Sequence, residues 1–267
     1  MFRNETNFAE QQYANDMNLS ARINLHAKHS TNKRGFADWL WEHYDFTENC
    51  KILELGCGNG AQWADRIASL PTECEVVLSD FSEGMVNAAK ERYTEHKAFS
   101  FQQIDIQNIS FTDGTFDAII ANHMLYHVPD LPRGLTEVRR VLKSGGVFYA
   151  STLGNGGMQP YLHGVFKRFN PDTNAFATQF SFNLQNGAEI LGEHFDNVKR
   201  VDYVDSLAVT ETQDLIDWIK SSVAIENADE ERRLFDHFED IRKRDGAINI
   251  PKEAGLFISG DKRNAKR

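Results

Sequence analysis

The run Glu54-Leu55-Gly56-Cys57-Gly58-Asn59-Gly60 leads from an acidic side chain into three alternating glycines. Glycine takes a positive φ without a steric cost and lets the backbone approach a ligand closely. In an open α/β sheet, ligands sit at the carboxyl ends of strands, near the point where the strand order reverses. A turn of this kind favours a nucleotide-type ligand. The dinucleotide fingerprint needs G-x-G-x-x-G to lay a pyrophosphate on a helix N-terminus, whereas here the spacing is G-x-G-x-G with Ala61 next. That mismatch, with Glu54 beside the loop to repel a pyrophosphate, argues against NAD.

Further residues with the right chemistry follow in chain order. Asp80 stands twenty residues past Gly60, and a carboxylate at a strand end can accept both hydroxyls of a ribose; a helix cap is the other reading. Phe81 and Met85 can form an apolar slot for a purine face, although Met85 also reads as core. Asp105 can accept from an exocyclic amine while the Ile106 N–H donates to a ring nitrogen. His123 and His127 have the residue type of a general base, with an ordinary pKa of about 6.5. His26 and His29 lack a third ligand at metal spacing, so no metal is expected.

These residues need a frame. Lys51–Leu55, Glu75–Ser79, Phe99–Ile104, Phe116–Ala121 and Val147–Ala150 read as β-strands alternating with amphipathic helical stretches, the pattern of βαβ units and a mostly parallel sheet. The intervening helices are expected through Trp63, Ile67 and Leu70 until Pro71 stops the run, and through Met85, Ala89 and Tyr93 with Ser82 as cap. Another opens at Asp130 and Pro132, carries Leu135, Val138, Val141 and Leu142 on one side, and closes at Gly145-Gly146. Before the first strand, Phe36, Trp39, Leu40 and His43 have helical spacing. Residues 158–182 hold five phenylalanines and two of the six prolines without a clear period, as a loop-rich lid over a ligand would; an ordinary surface excursion is the alternative. A helix near Leu184, a strand over 198–204, helices through Trp218 and through Leu234, Phe238 and Ile241, and extended runs at 247–250 and 256–259 complete the pattern.

Composition narrows the partners. The chain has 267 residues, with 29 Lys+Arg against 39 Asp+Glu, a formal net charge of −10. That is the wrong sign for neutralising many phosphates, so neither nucleic acid nor an anionic membrane surface is expected as partner. No apolar run is long enough for a membrane span and the first residues are too polar for a signal peptide. Three cysteines, Cys50, Cys57 and Cys74, without CxxC spacing suggest neither a disulfide framework nor a zinc site, and a cytoplasmic location is expected.

Taken together, Ile52 to Gly60, Leu78-Ser79-Asp80-Phe81-Ser82, Asp105-Ile106, Phe116-Asp117-Ala118-Ile119, Leu125-Tyr126-His127-Val128 and Leu142-Lys143-Ser144-Gly145-Gly146 resemble the class I S-adenosylmethionine-dependent methyltransferases. The resemblance is to the small-molecule type related to ubiquinone and menaquinone biosynthesis enzymes (methyltransferase type 11 domain), over about residues 50–155. It implies a Rossmann-like, doubly wound three-layer α/β sheet, mostly parallel with an antiparallel last strand, with N-terminal helices and a lid insertion. It implies that Gly56 and Gly58 line the methionine part of S-adenosyl-L-methionine, that Glu54 supports the loop and the ammonium end, and that Asp80 holds the ribose. Phe81, Met85, Asp105 and Ile106 would enclose the adenine, and Asn122 would lie beneath the sulfonium. Arg22 is a candidate partner for the cofactor carboxylate. The expected division is an N-terminal helical cap over 1–46, a cofactor-binding core over 47–155, a lid over 156–182 and completion of the sheet over 183–267. The expected reaction moves a methyl group to O, N or C of a small apolar or aromatic acceptor, leaving S-adenosyl-L-homocysteine. His127 recurs at this turn in relatives with unrelated substrates, so base and structural residue both remain open for it, and His123 is no better placed. Two other classes stay in play: an NAD(P)-dependent oxidoreductase or epimerase on the same sheet, and a non-catalytic S-adenosylmethionine-binding module.

Overall fold

The computed structural model describes residues 24–177, 179–225 and 227–261. Arg22 and most of the basic segment 261–267 lie outside them. The described residues fall into two compact units. One comprises 37–154, 180–202 and the residues from Ala254 onward; the other comprises the residues up to Phe36, 155–179 and 203–253.

The first unit is built on strands β1 (Lys51–Leu55), β2 (Glu75–Asp80), β3 (Phe99–Gln103), β4 (Phe116–Asn122), β5 (Leu142–Leu153), β6 (Asn197–Tyr203) and β9 (Ala254–Gly260), in the spatial order β3-β2-β1-β4-β5-β9-β6. β1, β2, β3, β4 and β5 pair in parallel, and β9, the last strand described, runs antiparallel to β5. This is the expected Rossmann-like arrangement, and its order reverses between β1 and β4. Strands covered on both faces are apolar at successive positions, as Ile52-Leu53 and Ile119-Ile120 show, all fully buried.

Helices α1 (Phe36–Trp41), α2 (Glu83–Tyr93), α3 (Leu131–Val141) and α5 (Gly187–Gly192) belong to this unit. Ser82 caps α2, its hydroxyl accepting from the Met85 N–H, and Asp130 caps α3 by accepting from the Arg133 N–H. Each cap satisfies an amide the first turn would otherwise leave unpaired and contributes about 1 kcal/mol. Leu131, Leu135, Val138 and Val141 of α3 pack on Leu53, Leu55, Ile119 and Phe148 in one continuous core.

Two stretches depart from expectation. Residues 61–70 form two 3₁₀ turns, Ala61–Trp63 and Ile67–Ser69, in place of a helix. Trp63 is fully buried, but Ile67 and Leu70 are only half-buried, so little apolar burial supports an α-helical register before Pro71 ends it. Helix α3 stops at Val141, before Gly145-Gly146, because Leu142 already pairs with Phe116 and β5 begins there. A register irregularity lies between Phe116 and Ala118, and Gly145 takes φ 78°.

The second unit contains a helix over 24–29, helices α4 (Met158–Phe169), α6 (Thr212–Ser222) and α7 (Ala228–Asp245), and a hairpin-like pair of strands β7 (Ser206–Val209) and β8 (Ile248–Pro251) joined antiparallel. The stretch read as loop-rich thus opens with a twelve-residue helix. Met158, Leu162, Val165 and Phe166 bury one side of it among Leu25, Leu207, Ile216 and Phe238. Buried Asp205 pairs with Lys252, and Asp214 is shared by Lys28 and by His29, whose Nε2 lies 2.8 Å from it. No helix among the described residues is long and apolar enough to cross a membrane.

Candidate functional site

The carboxyl ends of β1, β2 and β4 converge on the glycine loop. Gly56, Gly58 and Gly60 all lie in the left-handed region, at φ 73°, 56° and 72°, where a side chain is strained. The three are used differently. A Cβ at Gly56 would meet the Met124 side chain at 2.9 Å and one at Gly60 the Tyr93 ring at 2.7 Å, so these two allow close packing beneath the loop. At Gly58 a Cβ would meet nothing within 4 Å, so this residue presents bare backbone to open space. The loop is anchored by Cys57 N–H donating to the Ser79 carbonyl at 2.8 Å and by the Tyr93 hydroxyl donating to the Gly60 carbonyl at 2.6 Å.

Two carboxylates flank the loop. Asp80 accepts from the Gly58 N–H at 2.9 Å through one oxygen and from the Ser82 N–H at 2.9 Å through the other. It is thus both the loop's tether and the connection to α2, and each oxygen keeps a further lone pair. Burial raises its pKa against these backbone hydrogen bonds. Glu54, 2 % exposed, accepts from the Trp63 indole N–H at 2.5 Å. Burial pushes its carboxyl up to about 7, opposed by hydrogen bonds from Trp63 and Asn122 and reinforced by the charge of Asp80. The recorded donors to both groups are neutral, a setting that favours a cation nearby.

Beside Glu54, the expected site residue Asn122 joins a polar network whose other members, Tyr44 and Gln62, sequence reading missed. The Asn122 amide donates to the Tyr44 hydroxyl at 2.9 Å and to Gln62 Oε1 at 2.8 Å, and Gln62 Nε2 donates to the same hydroxyl at 3.2 Å. Burial raises the Tyr44 phenol further out of the titrating range. Ser151 is the register partner of Asn122 in β5, and its hydroxyl is fully buried with no hydrogen-bond partner among the described residues. Tyr44 and Asn122 are 78 positions apart, so no local pattern announces the pair. Gln62 could have been suspected, since it sits two residues past the last loop glycine.

The other expected residues divide. Phe81, following Asp80, is 52 % exposed, and Met85 is half-buried on the first turn of α2. Asp105 lies in the turn after β3, where its carboxylate accepts from the Gln107 N–H at 2.9 Å and from the Gln107 side chain. Ile106 is buried in the core and touches the space at Gly134. His123 follows Asn122 at φ 51° and its N–H donates to the Ser151 carbonyl at 3.0 Å. A non-glycine residue held there stores strain of the kind found at functional sites. His127 is exposed at the end of a 3₁₀ turn, Leu125–His127, against the Tyr126 ring, and Tyr126 in turn packs on Phe180.

The aromatic residues around 161–182 are largely consumed by cores. Phe166, Phe176 and Trp218 are buried together in the second unit, with Tyr161 and Phe169 packed against them, and Phe182 is buried in the core of the first. Among the described residues no group of three metal-ligating side chains comes together.

Residues 53–150 match the family model described as methyltransferase domain. The chain is 36% identical over 96 residues to the demethylmenaquinone methyltransferase of Clavibacter sepedonicus, covering 36% of this chain and 38% of that protein. It is 30% identical over 135 residues to the malonyl-[acyl-carrier protein] O-methyltransferase of Bacillus cytotoxicus, covering 51% and 46%. The chain therefore spans less than half the length of these curated relatives. Among solved structures it resembles the YcgJ protein from Bacillus subtilis, with a TM-score of 0.56 at 18% identity over 85% of this chain and 97% of that one. It also resembles Haemonchus contortus phosphoethanolamine N-methyltransferase 2 in complex with S-adenosyl-L-methionine, with a TM-score of 0.53 at 16% identity over 84% and 51%.

Proposed function

We propose that this chain, whose residues 53–150 match the methyltransferase domain family model, is a class I S-adenosylmethionine-dependent methyltransferase moving a methyl group to O, N or C of a small apolar or aromatic acceptor. The observation that carries this reading is the left-handed loop at Gly56, Gly58 and Gly60 set between two carboxylates, Glu54 and Asp80, that are held by neutral donors.

These residues fit the cofactor. Gly58 offers backbone with no side chain near it, Glu54 supplies a buried negative charge for the ammonium end, and the spare lone pairs of Asp80 suit a ribose diol. Phe81 and Met85 supply an apolar slot for the adenine, with Asp105 and Ile106 beyond them, and Asn122 stands at the end of β4 for the sulfonium side. S-Adenosylmethionine supplies, when bound, a sulfonium methyl open to in-line displacement, with S-adenosylhomocysteine as the product. The chain's own work is alignment and exclusion of water, and orientation of this kind is worth ~7–11 kcal/mol of a barrier. For an acceptor with an acidic proton, His127, exposed at the turn after β4, takes that proton, with His123 as the second candidate. The ring pair Tyr126–Phe180 beside His127 supports an apolar or aromatic acceptor.

Titration calorimetry with S-adenosylmethionine and S-adenosylhomocysteine tests the reading. Saturable binding of both at one site is expected, and failure to bind either would refute it.

A further inference from the structure

The cysteines are placed unequally. Cys57 belongs to the glycine loop, whereas Cys50 and Cys74 each precede a strand, at the amino ends of β1 and β2. These strands run parallel with Lys51 opposite Glu75, and the Glu75 N–H donates to the Cys50 carbonyl at 2.9 Å. One residue earlier on both strands, the two cysteines therefore stand opposite each other. Both are buried, and their sulfur atoms are in contact at 2.7 Å across 24 positions of sequence. Neighbouring strands lie ~4.8 Å apart, inside the ~4.4–6.8 Å between Cα atoms that a disulfide spans, so the strand spacing suits a bond between these sulfurs.

Cys50 also forms part of the wall of a cavity of about 460 Å³ at this end of the sheet, together with Phe46, Thr47, Asp117 and Lys143, and Cys74 reaches it through the Cys50 sulfur. We propose that Cys50 and Cys74 are an oxidation site, converted to a reversible disulfide by a peroxide that enters through this cavity. The Cys50 thiolate attacks one peroxide oxygen, breaks the O–O bond and becomes a sulfenic acid. The Cys74 sulfur then attacks the Cys50 sulfur, forming the S–S bond and expelling the oxygen as water. Two thiols lose two protons and two electrons, and hydrogen peroxide is reduced to two waters.

The surroundings make the reaction slow and pH-dependent. Burial first, then Cys74 and the charge of Asp117, push the Cys50 thiol well above the ordinary range. Asp117 is paired with Lys143 at 2.8 Å, and Asp45 faces the same cavity. Since the thiolate is the nucleophile, the rate rises with pH.

The test uses the whole chain and does not depend on methyl transfer. After treatment with hydrogen peroxide, the protein is unfolded, alkylated and weighed. One alkylated thiol, a mass lower by two hydrogens, and a digest in which the Cys50 and Cys74 peptides are joined are expected, with dithiothreitol restoring three thiols. The oxidised chain should melt roughly 5–10 °C higher than the reduced one, as the bridge restricts the unfolded chain. Cys74→Ser should leave a sulfenic acid at Cys50 that dimedone labels, and Cys57→Ser should leave the bridge intact. Three alkylated thiols after peroxide, a bridge that includes Cys57, or progressive addition of oxygen at Cys50 in the unsubstituted chain would each overturn the proposal; the last three outcomes require no variant to fold.

Discussion

The two faces of the parallel sheet are made from alternate residues of the same strands, yet they differ in kind. Leu53, Leu55, Ile119, Ala121, Phe148 and Ala150 point to one side and pack in one apolar core with side chains of α3. The other side carries apolar Ile52 and Ile120 but also polar atoms: Glu54 meets Trp63, and Asn122, whose register partner is Ser151, meets Tyr44 and Gln62. An apolar face is a solved packing problem, and its residues are exchangeable for others of similar volume. A buried polar group is costly unless it is paired, and this is the side to which the proposed function assigns the cofactor.

Substitutions can break this contrast. The largest effect is expected at His127. His127→Ala should lower turnover about 10²–10⁴-fold, the range of general-base catalysis, while S-adenosylmethionine affinity by calorimetry stays unchanged. Equal loss of both would remove His127 from the chemistry. On the apolar face, Leu53→Ala should cost ~2–5 kcal/mol of stability in urea melts, with the affinity of the remaining folded protein unaltered.

Glu54 sharpens the contrast through pH. Its folded carboxyl titrates near 7 instead of the ordinary 4.5. The raised value means its contribution to stability is full below the unfolded value and is lost as pH rises through about 7. Wild type should therefore lose stability relative to Glu54→Gln across that window, followed by urea midpoints of the two proteins; parallel curves would show that burial does not control this group. Asp80→Ala should weaken S-adenosylmethionine binding by about 1–3 kcal/mol through lost buried hydrogen bonds, read in the same calorimetry. Ser82→Ala, which removes only the α2 cap, should cost ~1 kcal/mol in stability.

What could be read from the sequence follows from how local each cause is. The starts of β1 to β4, the Ser82 and Asp130 caps and the glycine loop are set by neighbours within a few residues, and they stand where the pattern put them, whereas β5 begins five residues before its expected start at Val147. The site's polar network depends on Tyr44 meeting Gln62 and Asn122 across long separations, information that no window contains. Helix α4 was hidden for another reason: Met158, Leu162, Val165 and Phe166 do carry helical spacing, but Pro160, Gly164 and the aromatic surplus dilute it. The excess of phenylalanine suggested a ligand surface, and burial in the cores accounts for most of it.

The strand order β5-β9-β6 has a consequence for how the molecule is made. β6 touches the sheet only through β9, whose residues emerge from the ribosome some fifty positions later. During synthesis, β6 has no edge to join until Ala254–Gly260 is available, and β5 meanwhile exposes an open edge capable of pairing with another chain. Losing β9 therefore removes two strands from the sheet, not one.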